Sequence, residues 1–295
     1  MENKKFFTKL KNEYLGRTYA FACGLFIIIL TLSIIFFIFT KGIATFTKDG
    51  VSLTEFLFST VWKPEGSPKS FGALIFIAGS TLVSVGAVIL SAPISVALAI
   101  FMHYISPKFG SKVLQPALEL FVGIPSVVYG WLGFSILLPM LKAGFGGIGF
   151  SLLAGIIVLS VMILPTIASI SADAVKVVPA NYMEASYGLG ATRWQTISKV
   201  IVPAAKGGIL TGVVLGLARA FGEAMAVQMV IGNSIKLADG LYSSTSTLTS
   251  ILAMDMGNTA TGSAWNDALW SMALLLLIIS FVFILLIRVI GKRGE

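Results

Sequence analysis

A chain of 295 residues with 56% hydrophobic and only 12% charged residues lies far from soluble composition, where about a quarter of residues are charged. The net charge of +8 suggests nucleic acid, but the lysines and arginines cluster between apolar runs, so they read as a topology signal instead. One cysteine, Cys23, and one histidine, His103, exclude an intrachain disulfide and a cysteine or histidine metal cluster.

Lys4, Lys5, Lys9 and Lys11 precede the first apolar run, Tyr19–Phe39. That run can cross about 30 Å of hydrocarbon. It exceeds the roughly 7–15 apolar residues of a secretory signal, and no small-x-small cleavage site follows. It is therefore expected to remain as a first membrane helix. Further runs lie near Gly72–Met102, Val113–Leu141, Ile148–Ile170, Gly207–Ile231 and Ala268–Ile290. The reading is an all-α polytopic membrane protein of six transmembrane helices. Residues 1–18 form a cytoplasmic segment, 19–290 a transmembrane domain, and 291–295 a cytoplasmic tail. Pro93 and Pro125 mark places where the second and third helices kink, tilt or break.

With the N-terminus inside, fourteen lysines and arginines fall on the cytoplasmic side, among them Arg17, Lys108, Lys112, Lys176, Arg193, Lys199, Lys206, Arg288, Lys292 and Arg293. Six fall outside: Lys41, Lys48, Lys63, Lys69, Lys142 and Lys236. Both termini are expected in the cytoplasm. The outer connections 42–71 and 232–267 are long and polar. They read either as surfaces for an extracytoplasmic partner or as solvated linkers, and the second has room for short helices or a turn near Asp239-Gly240. Asp49, Glu55, Glu65, Asp239, Asp255 and Asp267 in these connections read as solvated.

Apart from Arg288 near the end of the last run, three ionisable residues fall inside the apolar runs: Glu119, Arg219 and Glu223. At about 100° per residue, Gly208, Gly212, Gly216, Arg219 and Glu223 share one helix face. That face pairs a small-residue packing ridge with two charges too costly to meet lipid. Arg219 presents a planar fork suited to a tetrahedral oxyanion. Glu223 either holds the arginine, accepts a proton-bearing substrate, or forms a structural pair with Arg219 at i,i+4. Glu119 and the irregular stretch Gly123-Ile124-Pro125-Ser126 are a second candidate lining, or a packing kink.

Between the fourth and fifth runs lies EASYGLGATRWQTISKVIVP, Glu184–Pro203. Asn181-x-x-Glu184 and Thr192-x-x-Gln195 read as two helix starts. Gly188 and Gly190 end the first helix, and Pro203 closes the segment. This stretch resembles the EAA loop of ABC importer permeases: Glu184, Ala185 and Ser186 stand for E-A-A, Gly190 follows after three residues, and Pro203 ends the pattern. Ser186 departs from the usual second alanine, and Val200 and Val202 replace Ile and Leu. The resemblance implies a type I importer permease of MetI-like architecture, with residues 179–206 as the coupling loop seated on a cytoplasmic ATPase.

GIPSVVYG (Gly123–Gly130) and GLARAFGEAMAV (Gly216–Val227) resemble the phosphate-specific branch of this family, nearer its PstC-type than its PstA-type subunits. What this implies is a bacterial or archaeal cytoplasmic-membrane protein moving inorganic phosphate. Its implied partners are a PstA-type permease, a PstB-type ATPase dimer that uses the ATP, an extracytoplasmic PstS-type binding protein, and membrane lipid, but no nucleic acid. The resemblance also places Arg219 and Glu223 on the transport path. No cofactor is expected on this chain, since no G-x-x-x-x-G-K-[ST] loop occurs, and no nucleophile or metal cluster marks it as an enzyme. A secondary transporter or anion channel, and a permease for sulfate or molybdate, are the alternatives.

Overall fold

The computed structural model describes residues 16–292. The four N-terminal lysines, Arg293, most of the 1–18 segment and residues 293–295 of the tail lie outside them. The first apolar run is helix α1, Gly16–Gly42. The connection after it folds into α2, Leu53–Phe58, and a two-residue antiparallel hairpin, β1 Trp62–Lys63 with β2 Ser70–Phe71. Helix α3, Leu74–Ile100, runs unbroken through Pro93. The third run divides into α4, Gln115–Gly123, and α5, Ser126–Phe145. Helix α6 is Leu152–Lys176. Then come α7, Ala180–Gly188, and α8, Arg193–Ala204.

The fifth run differs from its expected single helix. It is α9, Lys206–Gly222, followed by α10, Met225–Ile231. Helix α11, Leu248–Asp255, lies within the next connection, and α12, Ala264–Lys292, ends the fold. Among the described residues five helices are long and apolar enough to cross a membrane, and α8 with α9, bent by 68°, makes up to six.

Helix α6 sits at the centre, with most of its residues buried among neighbouring helices. Leu159, Met162, Ile163 and Ile167 are buried against Val83 and Ala87 of α3 and Val227, Val230 and Ile231 of α10. The glycine ridge of α9 packs on the same helix: side chains at Gly208 and Gly216 would collide with Ala174 and Ile167. Close approach of small residues replaces the hydrophobic drive that lipid removes. By contrast α1 stays at the periphery, joined to α12 where Phe37 meets Trp270 edge-on at 5.2 Å and Ser271 donates to the Gly42 carbonyl at 2.7 Å.

Pro93 and Pro165 are accommodated inside regular helices, whereas three other prolines share a pattern. Pro116, Pro139 and Pro203 each stand two residues after a five-residue π-type turn: Gly110–Leu114, Gly133–Leu137 and Ile197–Ile201. The wider turn shifts the hydrogen-bond register where proline has no N–H to give and its ring would press on the carbonyl four back. Pro203 therefore does not close its segment. The helix passes through it and bends at Ala205.

One end of the bundle is sealed by Phe56, Trp62, Phe71 and Phe76 packed with Leu248, Ile251 and Leu269. This corrects the solvated reading of the long connections. From Thr245 to Ser250 every residue is buried. Asp267 is also buried and bonded to Lys48 at 2.9 Å, with 7% of its side chain exposed. Asp49 has a buried carboxylate oxygen rather than a solvated one. The hydrogen bond from Lys48 to Asp267 holds the lysine's pKa above its usual value against a smaller opposing cost of desolvation.

Candidate functional site

The most unusual geometry inside the bundle is the break between α9 and α10. Gly222 ends α9 and Glu223 is extended, with φ −77° and ψ 122°. The predicted ion pair is absent, because the helix that would have aligned the two charges stops between them. Each charge is satisfied separately. Arg219 lies in the last turn of α9 and donates from Nη1 to Thr166 Oγ1 of α6 at 2.8 Å. Glu223 turns to the start of α10, where its Oε1 accepts from the Ala226 N–H at 3.0 Å. A cation near a helix C-terminus and an anion near an N-terminus are both favoured by the helix dipoles. Both side chains are half-buried, so a planar cation with unused donors and a carboxylate with a second oxygen lie close along the chain at a broken helix.

The second irregularity lies where Gly123-Ile124-Pro125-Ser126 pointed to one. Helix α4 ends at Gly123, Ile124 and Pro125 are extended, and Ser126 opens α5. The Tyr129 hydroxyl spans this break by donating to the Phe121 carbonyl at 2.8 Å. Glu119 is exposed on α4 and accepts from Gln115 at 3.2 Å. Among the described residues no hydrogen bond joins Glu119 or Ser126 to Arg219 or Glu223. Beside this break a groove of about 310 Å³ is lined by apolar groups, including Leu132, Ile136 and Val161.

At the opposite end of the bundle, α7 and α8 form the predicted two-helix corner. The first start differs from expectation: α7 begins at Ala180 behind Pro179 with no side-chain cap, so Asn181 already lies in its first turn. The second start is as read. Thr192 and Gln195 form a reciprocal capping box, with Thr192 N–H donating to Gln195 Oε1 at 2.8 Å and Gln195 N–H to Thr192 Oγ1 at 3.3 Å. Gly190 takes φ +79° between the helices, which only glycine adopts freely. Ser186 and Thr196 are buried and share a 2.9 Å hydroxyl contact that ties α7 to α8. Glu184, Ala185 and Pro203 are exposed.

Sequence reasoning passed over Leu189 and Trp194, which are 89% and 69% exposed beside Gly190. It also passed over the hydroxyl run 244–250 that packs against Glu223. A string of Ser and Thr broken only by Leu248, in so apolar a chain, was its only signal.

The family described as binding-protein-dependent transport system inner membrane component matches residues 93–294. The chain is 53% identical over 285 residues to the probable ABC transporter permease protein YqgH of Bacillus subtilis, covering 96% of this chain and 92% of that one. It is 34% identical over 266 residues to the phosphate transport system permease protein PstC of Pasteurella multocida, covering 83% and 82%. Among solved structures, a bacterial ABC transporter involved in alginate import aligns with a TM-score of 0.65 at 16% identity, over 98% of this chain and 99% of that one. The inward-facing MetNI methionine ABC transporter aligns at 0.56 and 19%, over 76% and 94%. At those identities the likeness speaks for the fold alone, an ABC importer permease fold crossing the membrane several times. By sequence and fold together, the chain belongs to the family of binding-protein-dependent transport system inner membrane components, as a relative of its PstC-type permeases.

Proposed function

We propose that this chain is the PstC-type membrane subunit of an ABC importer that carries inorganic phosphate across the cytoplasmic membrane. The observation that carries this reading is the 34% identity, over most of both chains, to a protein named for phosphate transport. Arg219 supports it, being a fixed cation with free donors at a helix break inside the bundle, where a tetrahedral oxyanion finds a partner. In this reading Arg219 and Glu223 line the path, with Glu119 and Ser126 beside the second break.

A second, PstA-type permease completes the pathway. A PstB-type ATPase dimer seats the α7–α8 corner, with Glu184, Ala185, Ser186, Gly190 and Pro203 shaping the contact and exposed Leu189 and Trp194 filling it. A PstS-type binding protein delivers phosphate to the end sealed by the aromatic hairpin. Both termini then face the cytoplasm. ATP is bound and hydrolysed on the partner, and closure of the ATPases drives alternating access by moving the corner.

The test is uptake of labelled phosphate by cells lacking their own high-affinity system and supplied with this chain, its partner permease, ATPase and binding protein. Uptake that needs the ATPase and ignores excess sulfate and molybdate is the expected result. Competition by sulfate or molybdate moves the substrate to another oxyanion. Uptake without the ATPase overturns the importer reading in favour of a secondary transporter.

A further inference from the structure

The connection between α10 and α12 carries the run Ser244–Ser250, STSTLTS. It enters the bundle as a hydroxyl-rich strap. The Leu248 N–H donates to Ser80 Oγ of α3 at 2.9 Å. Gly79 on the same helix leaves the space into which the Ser246 carbonyl fits. On its other side, Thr249 Oγ1 donates to the Glu223 carbonyl at 2.8 Å. Thr249 has one hydroxyl proton, and it is used there. In the 3.1 Å contact between Thr247 and Thr249, Thr247 must therefore be the donor. Thr247 Oγ1 in turn accepts from the Ser250 N–H. The order is directional: the start of α11 orients Thr247, Thr247 orients Thr249, and Thr249 holds the extended residue that separates α9 from α10.

The space beside these groups is a cavity of about 10 Å³ lined by Ser80, Ser84, Glu223, Thr247 and Thr249. That is room for about one water and too little for a tetrahedral oxyanion, so Thr249 does not meet cargo here. Its hydroxyl acts on the break.

We infer that Thr249 is a positioning residue for Glu223, and that the buried strap 245–250 sets the shape of the charged break from outside its own helix. This rests on the transport reading above. Without the Thr249 hydroxyl, the Glu223 carbonyl, which has no helix partner, loses its protein donor beside a cavity with room for about one water at most, and a part-buried acceptor without its built-in donor is costly. The break then relaxes, and Arg219 and Glu223 leave their places.

The test is a graded series at one position, Thr249→Ser, Thr249→Cys and Thr249→Val, in the complete complex. Labelled phosphate uptake is normalised to complex recovered by co-purification. Valine keeps the shape and removes the donor, cysteine donates weakly, and serine donates well. Maximal uptake per complex should follow wild type, Ser, Cys, Val, with Val down about fivefold or more. The binding-protein concentration for half-maximal uptake should stay unchanged. A residue that served stability alone would instead lower the amount of complex and leave uptake per complex intact. Equal rates for Ser and Cys, or for wild type and Val, overturn the inference, and the first comparison decides it if the Val complex does not assemble. If wild type itself carries no phosphate, the phosphate reading fails separately, and binding-protein-stimulated ATP hydrolysis ranks the same series.

Discussion

The Glu223 break and the Gly190 corner are both places where one helix stops and another begins, yet they solve the same problem differently. At Gly190 the chain is exposed, with open space around it. A glycine with φ +79° turns it, a capping box restarts it, and Leu189 and Trp194 remain exposed. At Glu223 the chain is inside the bundle, with no glycine at the extended position. Its carbonyl is met by Thr249 and its side chain by the next helix. Water satisfies freed backbone groups at no cost, whereas a membrane interior requires an internal partner for each. The exposed corner therefore leaves apolar side chains uncovered, while the buried break consumes its neighbours' hydroxyls.

The comparison makes separate demands on each region. The largest effect is expected at Arg219. Arg219→Gln removes a charge-assisted donor worth about 1.5–3 kcal/mol, so phosphate uptake should fall about tenfold or more while the complex still co-purifies. Surviving uptake would make Arg219 a packing residue held by Thr166. Next is Gly190→Val. The space around Gly190 is open, so the cost is backbone strain alone, about 1–3 kcal/mol. ATPase recovered with the permease should drop while membrane insertion is unchanged. Unaltered recovery and transport, together with the same outcome for Glu184→Lys, would remove the corner from coupling.

A third measurement concerns the sealed end. Lys48→Met leaves the buried Asp267 carboxylate without its cation and should lower the melting temperature of the purified complex at neutral pH. Because the folded-state pKa of Lys48 is raised, its contribution is fully present below the usual value of 10.5 and is lost as pH rises through the folded value. The wild-type and Lys48→Met melting temperatures should therefore converge only in strongly alkaline buffer. Convergence already at pH 8 would contradict the pairing. The smallest effect is expected for Ser186→Ala. Thr196 keeps its bond to the Thr192 carbonyl at 3.1 Å, so the loss is about 1 kcal/mol or less, read as a slightly weaker ATPase association.

Much of the helical plan was legible because hydropathy runs are local signals, whereas Pro203 read as a helix stop because the π-type turn that accommodates it leaves no mark in the sequence. The corner was legible because its signal is local too: a capping box spans four residues. The start of α7 differs from the cap expected at Asn181, since Pro179 occupies the cap position two residues earlier and the helix begins at Ala180. The Arg219–Glu223 pair failed for a reason no window could show. The wheel assumed a continuous helix, and continuity ended where Thr249, twenty-six residues later, offered the Glu223 carbonyl a better-placed donor. Likewise 244–250 has the composition of a loop, and only the packing of Gly79 and Ser80 against it makes it an internal strap.

Residue order alone settled that this chain crosses a membrane several times, where the apolar runs lie, and that one connection is an ordered two-helix corner, because burial in lipid and helix capping act within a few residues. The tertiary structure decided how the two charges are separated, which carboxylates are buried, and which hydroxyls hold the break. Those outcomes depend on groups far apart in the chain meeting in a dry interior, where each backbone carbonyl and N–H must find a partner.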